Sequence, residues 1–202
     1  MEFFGFPKIP RLKRECVFTE KIDGTNAQIH IRPADFDEEG YMPVMELGVD
    51  TQIEVDGKAH YIRAGSRNKW LGMVKPDNMG FGAWVHQHAH ELAKLGPGQH
   101  FGEWWGAGIR RTYGLTEKRF SLFNTARWTT ADRPECCSVV PVLHVGGLED
   151  TEAVLANLRM GSRAARGFAR PEGIVVYHSA SRSMFKVLLE NDELPKGVAD
   201  AR

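Results

Sequence analysis

Short strand-like runs, several of them closed by turn residues, dominate this sequence. Only two stretches carry a helical spacing. Residues 27–32 alternate and stop at Pro33, which cannot donate to a sheet ladder. Residues 45–55 and 60–64 read as two strands around the turn pair Asp56-Gly57. Further strands are expected at 17–19, 99–105, 120–125, 139–145, 174–177 and 184–189. The main helix is expected over 80–95, where Phe81, Trp84, Val85, His88, Leu92 and Leu95 recur at three- and four-residue spacing before the stop Gly96-Pro97. A second helix, over 150–160, opens on the acids Glu149 and Asp150, which suit a helix N-terminus. Residues 1–15 read as an irregular arm and residues 34–43 as an acidic hairpin connection. Strands and helices do not alternate as βαβ units, so the expected class is α+β, with antiparallel β-sheets and flanking helices.

Composition narrows what such a fold can do. The chain of 202 residues suits one domain over 1–202, and 42% hydrophobic residues suffice for a core. Lys plus Arg equals Asp plus Glu, at 26 each, which argues against a broad backbone-binding surface of the kind many nucleic-acid binders carry. A local basic groove remains open, and Arg159, Arg163, Arg166 and Arg170 are the candidates for it. No apolar run reaches the roughly 18–20 residues of a membrane span, and Met1-Glu2-Phe3-Phe4 lacks a basic signal-peptide start. The expectation is a cytoplasmic protein without membrane association. Cys16, Cys136 and Cys137 form neither a disulfide framework nor a zinc spacing, and the adjacent pair reads as structural.

The chemistry concentrates in Glu20-Lys21-Ile22-Asp23-Gly24-Thr25-Asn26. A protonated lysine is a poor nucleophile, and attack on phosphorus needs a lowered pKa or a neighbour that takes the proton. Asp23 is placed to orient the amine, and Gly24 permits a sharp turn or close approach of backbone to phosphate. Alone, the run reads more readily as a surface turn, since Asp-Gly is a common turn pair. Other pieces follow in order: Gly65-Ser66-Arg67 after a strand, Glu103 between glycines in Gly102-Glu103-Trp104-Trp105-Gly106, Phe120 in Phe120-Ser121-Leu122-Phe123, Glu172 at the mouth of an apolar strand, and Lys186 in Phe185-Lys186-Val187.

This ordered set resembles the motifs of the covalent nucleotidyltransferases, the polynucleotide ligases and mRNA capping enzymes. Glu-Lys-Ile-Asp-Gly-Thr-Asn with Gly-Ser-Arg downstream looks most like the RNA ligases that seal nicks in duplex RNA, and the resemblance covers about residues 17–190. It implies a nucleotidyltransferase (adenylation) domain of the ATP-grasp-like ligase type. Lys21 would take AMP from ATP as a lysyl-AMP phosphoramidate, pass it to a 5′-phosphate end and allow sealing by a 3′-hydroxyl. Glu20 would read the adenine edge, Arg67 and Glu103 would contact the ribose, and Phe120 would stack on the purine, with Phe123 as the alternative. Glu172 would hold Mg²⁺ or Mn²⁺, with Glu103 as a further metal ligand. Lys186 would neutralise the α-phosphate and depress the Lys21 pKa through like charge. Asn26 would act in sealing. The implied partners are RNA ends or nicked duplex, gripped by a monomer with a helper protein or separate RNA-binding subunit.

Two departures stand out. The usual Lys-x-Lys of the last motif reads Lys186-Val187-Leu188, with Arg182 as a possible replacement. Only 16 residues follow Lys186, so no OB-fold or C-terminal RNA-binding domain is expected within this chain. The alternatives are a DNA ligase, a capping-type guanylyltransferase, or a nucleotide- or end-binding module without ligation. His86 and His90, spaced i, i+4, read as solvated or packing histidines, and Trp70, Trp84 and Trp128 as core.

Overall fold

The computed structural model describes residues 2–34, 50–72, 77–190 and 192–193. The elements are β1 (Cys16–Lys21), β2 (Thr25–Pro33), β3 (Asp50–Val55), β4 (Lys58–Ser66), α1 (Phe81–Gln87), α2 (Ala89–Leu92), β5 (Gly98–Gly106), β6 (Lys118–Leu122), β7 (Cys137–Val139), β8 (Val142–Gly146), α3 (Thr151–Leu158), β9 (Gly173–His178) and β10 (Ser183–Leu188). This is an α+β architecture of curled sheets with few helices. The chain forms two compact units, one joining the segment up to Ile22 with that from Pro141 onward, the other running from Asp23 to Val140. No helix among the described residues is long and apolar enough to cross a membrane.

In the first unit, four antiparallel strands lie in the order β10-β9-β1-β8. The two-residue period of β1 divides the sheet's faces. Cys16, Phe18, Ile174 and Val176 point inward and pack against Val154, Leu155 and Leu158 of α3. Val17, Thr19 and Lys21 point the other way, to a face that also carries the exposed Val145 and Tyr177. At the mouth of β9, Gly173 lets β10 close up, because a Cβ there would stand 2.2 Å from the carbonyl oxygen of Val187.

In the second unit, six strands run in the order β3-β4-β2-β5-β6-β7. Ala27, Ile29 and Ile31 face a core shared with Ile62, Ala64, Trp104, Phe120 and Leu122 and covered by Phe81 and Val85 of α1. Asn26, Gln28 and His30 face the opposite side. Asp56 and Gly57 both have positive φ, as the expected tight hairpin turn requires.

The structure changes four of the expected elements. The helix at 80–95 is α1, α2 and a closing 3-10 turn at 93–95, broken at His88. There the Trp84 carbonyl accepts the His88 backbone N–H at 3.0 Å and lies 2.8 Å from His88 Nδ1, while His88 leaves helical φ/ψ. The strand at 139–145 divides into β7 and β8 at Pro141, which has no N–H to pair. β7 runs parallel to β6, so that sheet is mixed rather than antiparallel. Trp70 is half exposed, not core; it stacks on His30 at 5.8 Å between centroids and borders Gly65. Trp128 is buried and Trp84 packs against the core. Of the strand expected over 45–55 and the connection over 34–43, residues 35–49 lie outside the described residues.

His100 gives the core a pH dependence. Its Nε2 meets the Gly96 carbonyl oxygen at 2.9 Å, which fixes the neutral tautomer with the proton on Nε2. Burial, reinforced by the charge of Arg127, pulls its pKa below the ordinary histidine value, against the opposing Gly96 bond. A group with a depressed folded pKa stabilises above its unfolded pKa, and that stability is lost as pH falls toward the folded one. Thermal unfolding should therefore shift to lower temperature as pH drops below about 6.5. In His100→Gln this acid slope should be shallower, as calorimetry across pH 5–8 would record.

Candidate active site

Lys21 closes β1 on the open face of the first unit's sheet. Its Nζ donates to Glu172 Oε2 at 2.5 Å, and both side chains are only partly exposed. Glu172 immediately precedes β9, where Gly173 is opposite Lys21 in register. Lys186 lies on the same face, opposite Val175, which is opposite Thr19. Two strand spacings and two residues separate it from Lys21, on the order of 12 Å between Cα atoms. The Lys186 side chain is exposed and makes no hydrogen bond or ion pair among the described residues. Arg182 does not replace the missing last-motif lysine. It forms the β9–β10 turn with φ 55°, at the end of the sheet where Cys16 pairs with His178, remote from Lys21.

Glu20 differs from its expected role. Adjacent residues of a strand point to opposite faces, so its side chain leaves β1 on the buried side while Lys21 leaves on the open side. It is 1% exposed. Oε1 accepts the Ser162 hydroxyl at 2.6 Å, and Oε2 accepts the backbone N–H groups of Arg163 at 2.7 Å and Ala164 at 2.8 Å. With three donors satisfied and no access to solvent, this carboxylate is a loop anchor and not a reader of an adenine edge. The Arg163 and Ala164 amides were not foreseen, because a backbone N–H carries no residue-type signal.

In the second unit, Asp23 and Gly24 open the approach to β2. The Asp23 carboxylate accepts Arg111 Nε at 3.0 Å, with Arg110 Nε at 3.7 Å, and its backbone N–H donates to the Tyr113 hydroxyl at 2.8 Å. Thus the carboxylate expected to orient the lysine amine is held by an arginine pair. Arg110, Thr112 and Tyr113 all adopt positive φ, a sparsely populated conformation for such residues. Tyr113 is held against the face of Trp105, edge-on at 4.9 Å. The sequence offered only an indirect hint of this loop, the glycines at 106, 108 and 114 that bracket it.

Gly24 serves close packing. A Cβ there would sit 2.4 Å from the Trp104 carbonyl oxygen and 2.7 Å from the Trp105 Cβ. Its N–H donates to Glu103 Oε1 at 3.0 Å. Glu103 is directly opposite Asn26 and Ser121 in register, so these three share one face of the sheet, where Ser121 is buried and accepts the Trp105 indole N–H at 2.8 Å. Asn78, at φ 50°, accepts the Thr25 hydroxyl at 3.1 Å and donates to the Asn26 carbonyl at 3.5 Å. Arg67 is exposed in the turn closed by the Ser66 N–H to Lys69 carbonyl bond.

Phe120 is corrected as a purine platform. It is 0% exposed and lies in the core, 5.1 Å from the Phe81 ring and 5.9 Å from that of Trp84. Phe123 is 38% exposed and bonds through its N–H to the carbonyl of Phe101, itself 46% exposed and on the Glu103 face. The exposed aromatic surface beside Glu103 is therefore Phe101 with Phe123. Among the described residues no group of three or more His, Cys, Asp or Glu is arranged to hold a metal alone. His86 contacts the Thr51 hydroxyl and His88 the Trp84 carbonyl.

The anchor role of Glu20 is measurable. Glu20→Gln keeps the shape but turns an amide NH₂ toward donors, leaving a buried conflict that costs on the order of 2 kcal/mol. Urea unfolding should show that loss, and Glu20→Gln should become sensitive to proteolysis within 159–170.

Comparison with known proteins assigns this geometry to a group. No curated protein and no solved structure matches the chain. The family model described as RNA ligase matches residues 14–188, a span that begins two residues before β1 and ends on the last residue of β10. On that match over most of its length, the chain belongs to the RNA ligase family.

Proposed function

We propose that this protein is an ATP-dependent RNA ligase that works through a covalent nucleotide on Lys21. The observation that carries the reading is the amine of Lys21 on an open sheet face, in hydrogen-bonded contact with Glu172, with Lys186 on the same face. The fold then acts as a nucleotidyltransferase domain of the ATP-grasp-like ligase type.

The reaction follows in three balanced steps. The neutral amine of Lys21 attacks the α-phosphorus of ATP; the N–P bond forms, the P–O bond to the β-phosphate breaks, and pyrophosphate leaves. Glu172, at 2.5 Å, is placed to receive the ammonium proton that must depart first. A 5′-phosphate oxygen of RNA next attacks the lysyl-AMP phosphorus and frees the amine, leaving an adenylylated end. A 3′-hydroxyl finally attacks that end's 5′-phosphate, making the phosphodiester and releasing AMP.

Phosphoryl transfer needs positioning and charge neutralisation above all. Lys186 supplies a cation for the α-phosphate. Mg²⁺ or Mn²⁺ takes few protein carboxylates and fills its shell with phosphate and water oxygens. Glu172 would hold it once Lys21 carries AMP, and the ion would supply further neutralisation of phosphate charge. Arg67 and Glu103 keep the proposed ribose contacts and Asn26 the proposed sealing role. Phe123 replaces Phe120 as the stacking ring, because its face is accessible.

Incubation with ATP labelled at the α-phosphate and Mg²⁺ should label the protein, and GTP should not substitute. Lys21→Ala should abolish the label. Glu172→Gln should slow labelling by about 10²-fold or more, within the range for a lost acid–base group. A wild-type protein that takes no label across metals and pH would refute the proposal.

A further inference from the structure

The chain is electrically neutral, yet its charges are unevenly distributed. Between Glu152 and Glu172 there is no carboxylate, and four arginines, 159, 163, 166 and 170, stand in that stretch. All four are exposed. The side chains of Arg159 and Arg166 have no hydrogen-bond or ion-pair partner among the described residues, the Arg163 side chain donates to Asn157 Oδ1 at 2.7 Å, and Arg170 is engaged within the chain.

The loop that carries them is built, not slack. Ser162 N–H donates to the Phe168 carbonyl at 2.8 Å, Phe168 N–H to the Ala165 carbonyl at 3.1 Å, and Ala165 N–H to the Ser162 hydroxyl at 2.9 Å. Glu20, buried, takes the remaining donors of residues 162–164. Gly161 and Gly167, both with positive φ, make the bends.

The two anchors fix the loop's course. Residues 162–164 meet Glu20 on the buried side of β1, and Glu172 meets Lys21 on the open side. The segment therefore passes around the end of β1, from behind the sheet to the amine. Arginines on the part held by Glu20 are displaced from the amine, so they suit phosphates that follow a reacting 5′-end and not the phosphates of ATP.

We propose that the loop over 159–170 is an RNA backbone clamp in which Arg159, Arg163 and Arg166 each hold a phosphate of the strand whose 5′-end reacts at Lys21. This rests on the ligase reading of Lys21. Guanidinium groups pair bidentately with phosphate, and a loop already ordered by Glu20 loses little entropy on binding. Each neutralised phosphate of a single strand adds about 0.7 to the slope of log affinity against log salt, so three arginines account for a slope of about 2.

The test uses the full chain and a fluorescent 5′-phosphorylated oligoribonucleotide. The triple variant Arg159→Gln, Arg163→Gln, Arg166→Gln leaves the backbone donors to Glu20 intact. Anisotropy should show RNA binding weakened at least tenfold and the salt slope reduced by about 2, while Lys21 labelling from ATP keeps its rate and its ATP dependence. Unchanged RNA affinity, or no measurable RNA affinity in the wild type, overturns the clamp. A raised ATP requirement with RNA affinity intact also overturns it and assigns the arginines to ATP phosphates. Weakened RNA binding in the variant, in a protein whose wild type never takes label, keeps the clamp and removes the ligase reading instead.

Discussion

The buried carboxylate of Glu20 is the interaction on which the first unit's organisation depends. Moving an ion of that size out of water costs several kcal/mol, and only a full set of donors offsets it. Here one hydroxyl and two backbone N–H groups do so, and charge-assisted bonds of this kind are about twice as strong as neutral ones. The strand's two-residue period then makes the next residue point the other way. Burying Glu20 compels Lys21 onto the open face. The placement of the lysine is thus partly a consequence of the loop anchored behind it.

The second unit shows similar economy around the residues that follow. Asp23, Gly24 and Glu103 are linked through short local contacts: an arginine pair on the Asp23 carboxylate, a tyrosine hydroxyl under its N–H, and the Gly24 N–H on Glu103. Gly24 is required by the carbonyl of Trp104, since even a methyl group would collide with it. A sequence motif whose glycine suggests phosphate contact is here explained by strand packing. Both demands select the same residue, so the residue alone does not distinguish them.

How much of this was legible in the sequence depended on which physical rule was applied. Period-two alternation located β2, β-prone runs located β4, β5 and β9, and Asp56-Gly57 located its turn. The same alternation, applied to Glu20 and Lys21, already excludes a shared face for them; resemblance suggested an adenine contact that the strand geometry denies. Parity likewise separates Phe120 from Phe123, and burial decides between them. The break of α1 at His88 depended on a side chain reaching its own helix carbonyl, and the division at Pro141 on one missing donor among β-branched neighbours. The arginine pair on Asp23 was hidden because its loop holds non-glycine residues at positive φ, which propensity disfavours.

In the proposed reaction the Lys21 amine, held by Glu172, forms the bond that carries the nucleotide. Peptide mapping by mass spectrometry after incubation with ATP and Mg²⁺ tests it most directly. The expected result is a single acid-labile adduct with the mass of one AMP, on the peptide spanning Glu20-Lys21-Ile22-Asp23 and assigned by fragmentation to Lys21. An AMP adduct on any other residue, with Lys21 unmodified, would contradict it.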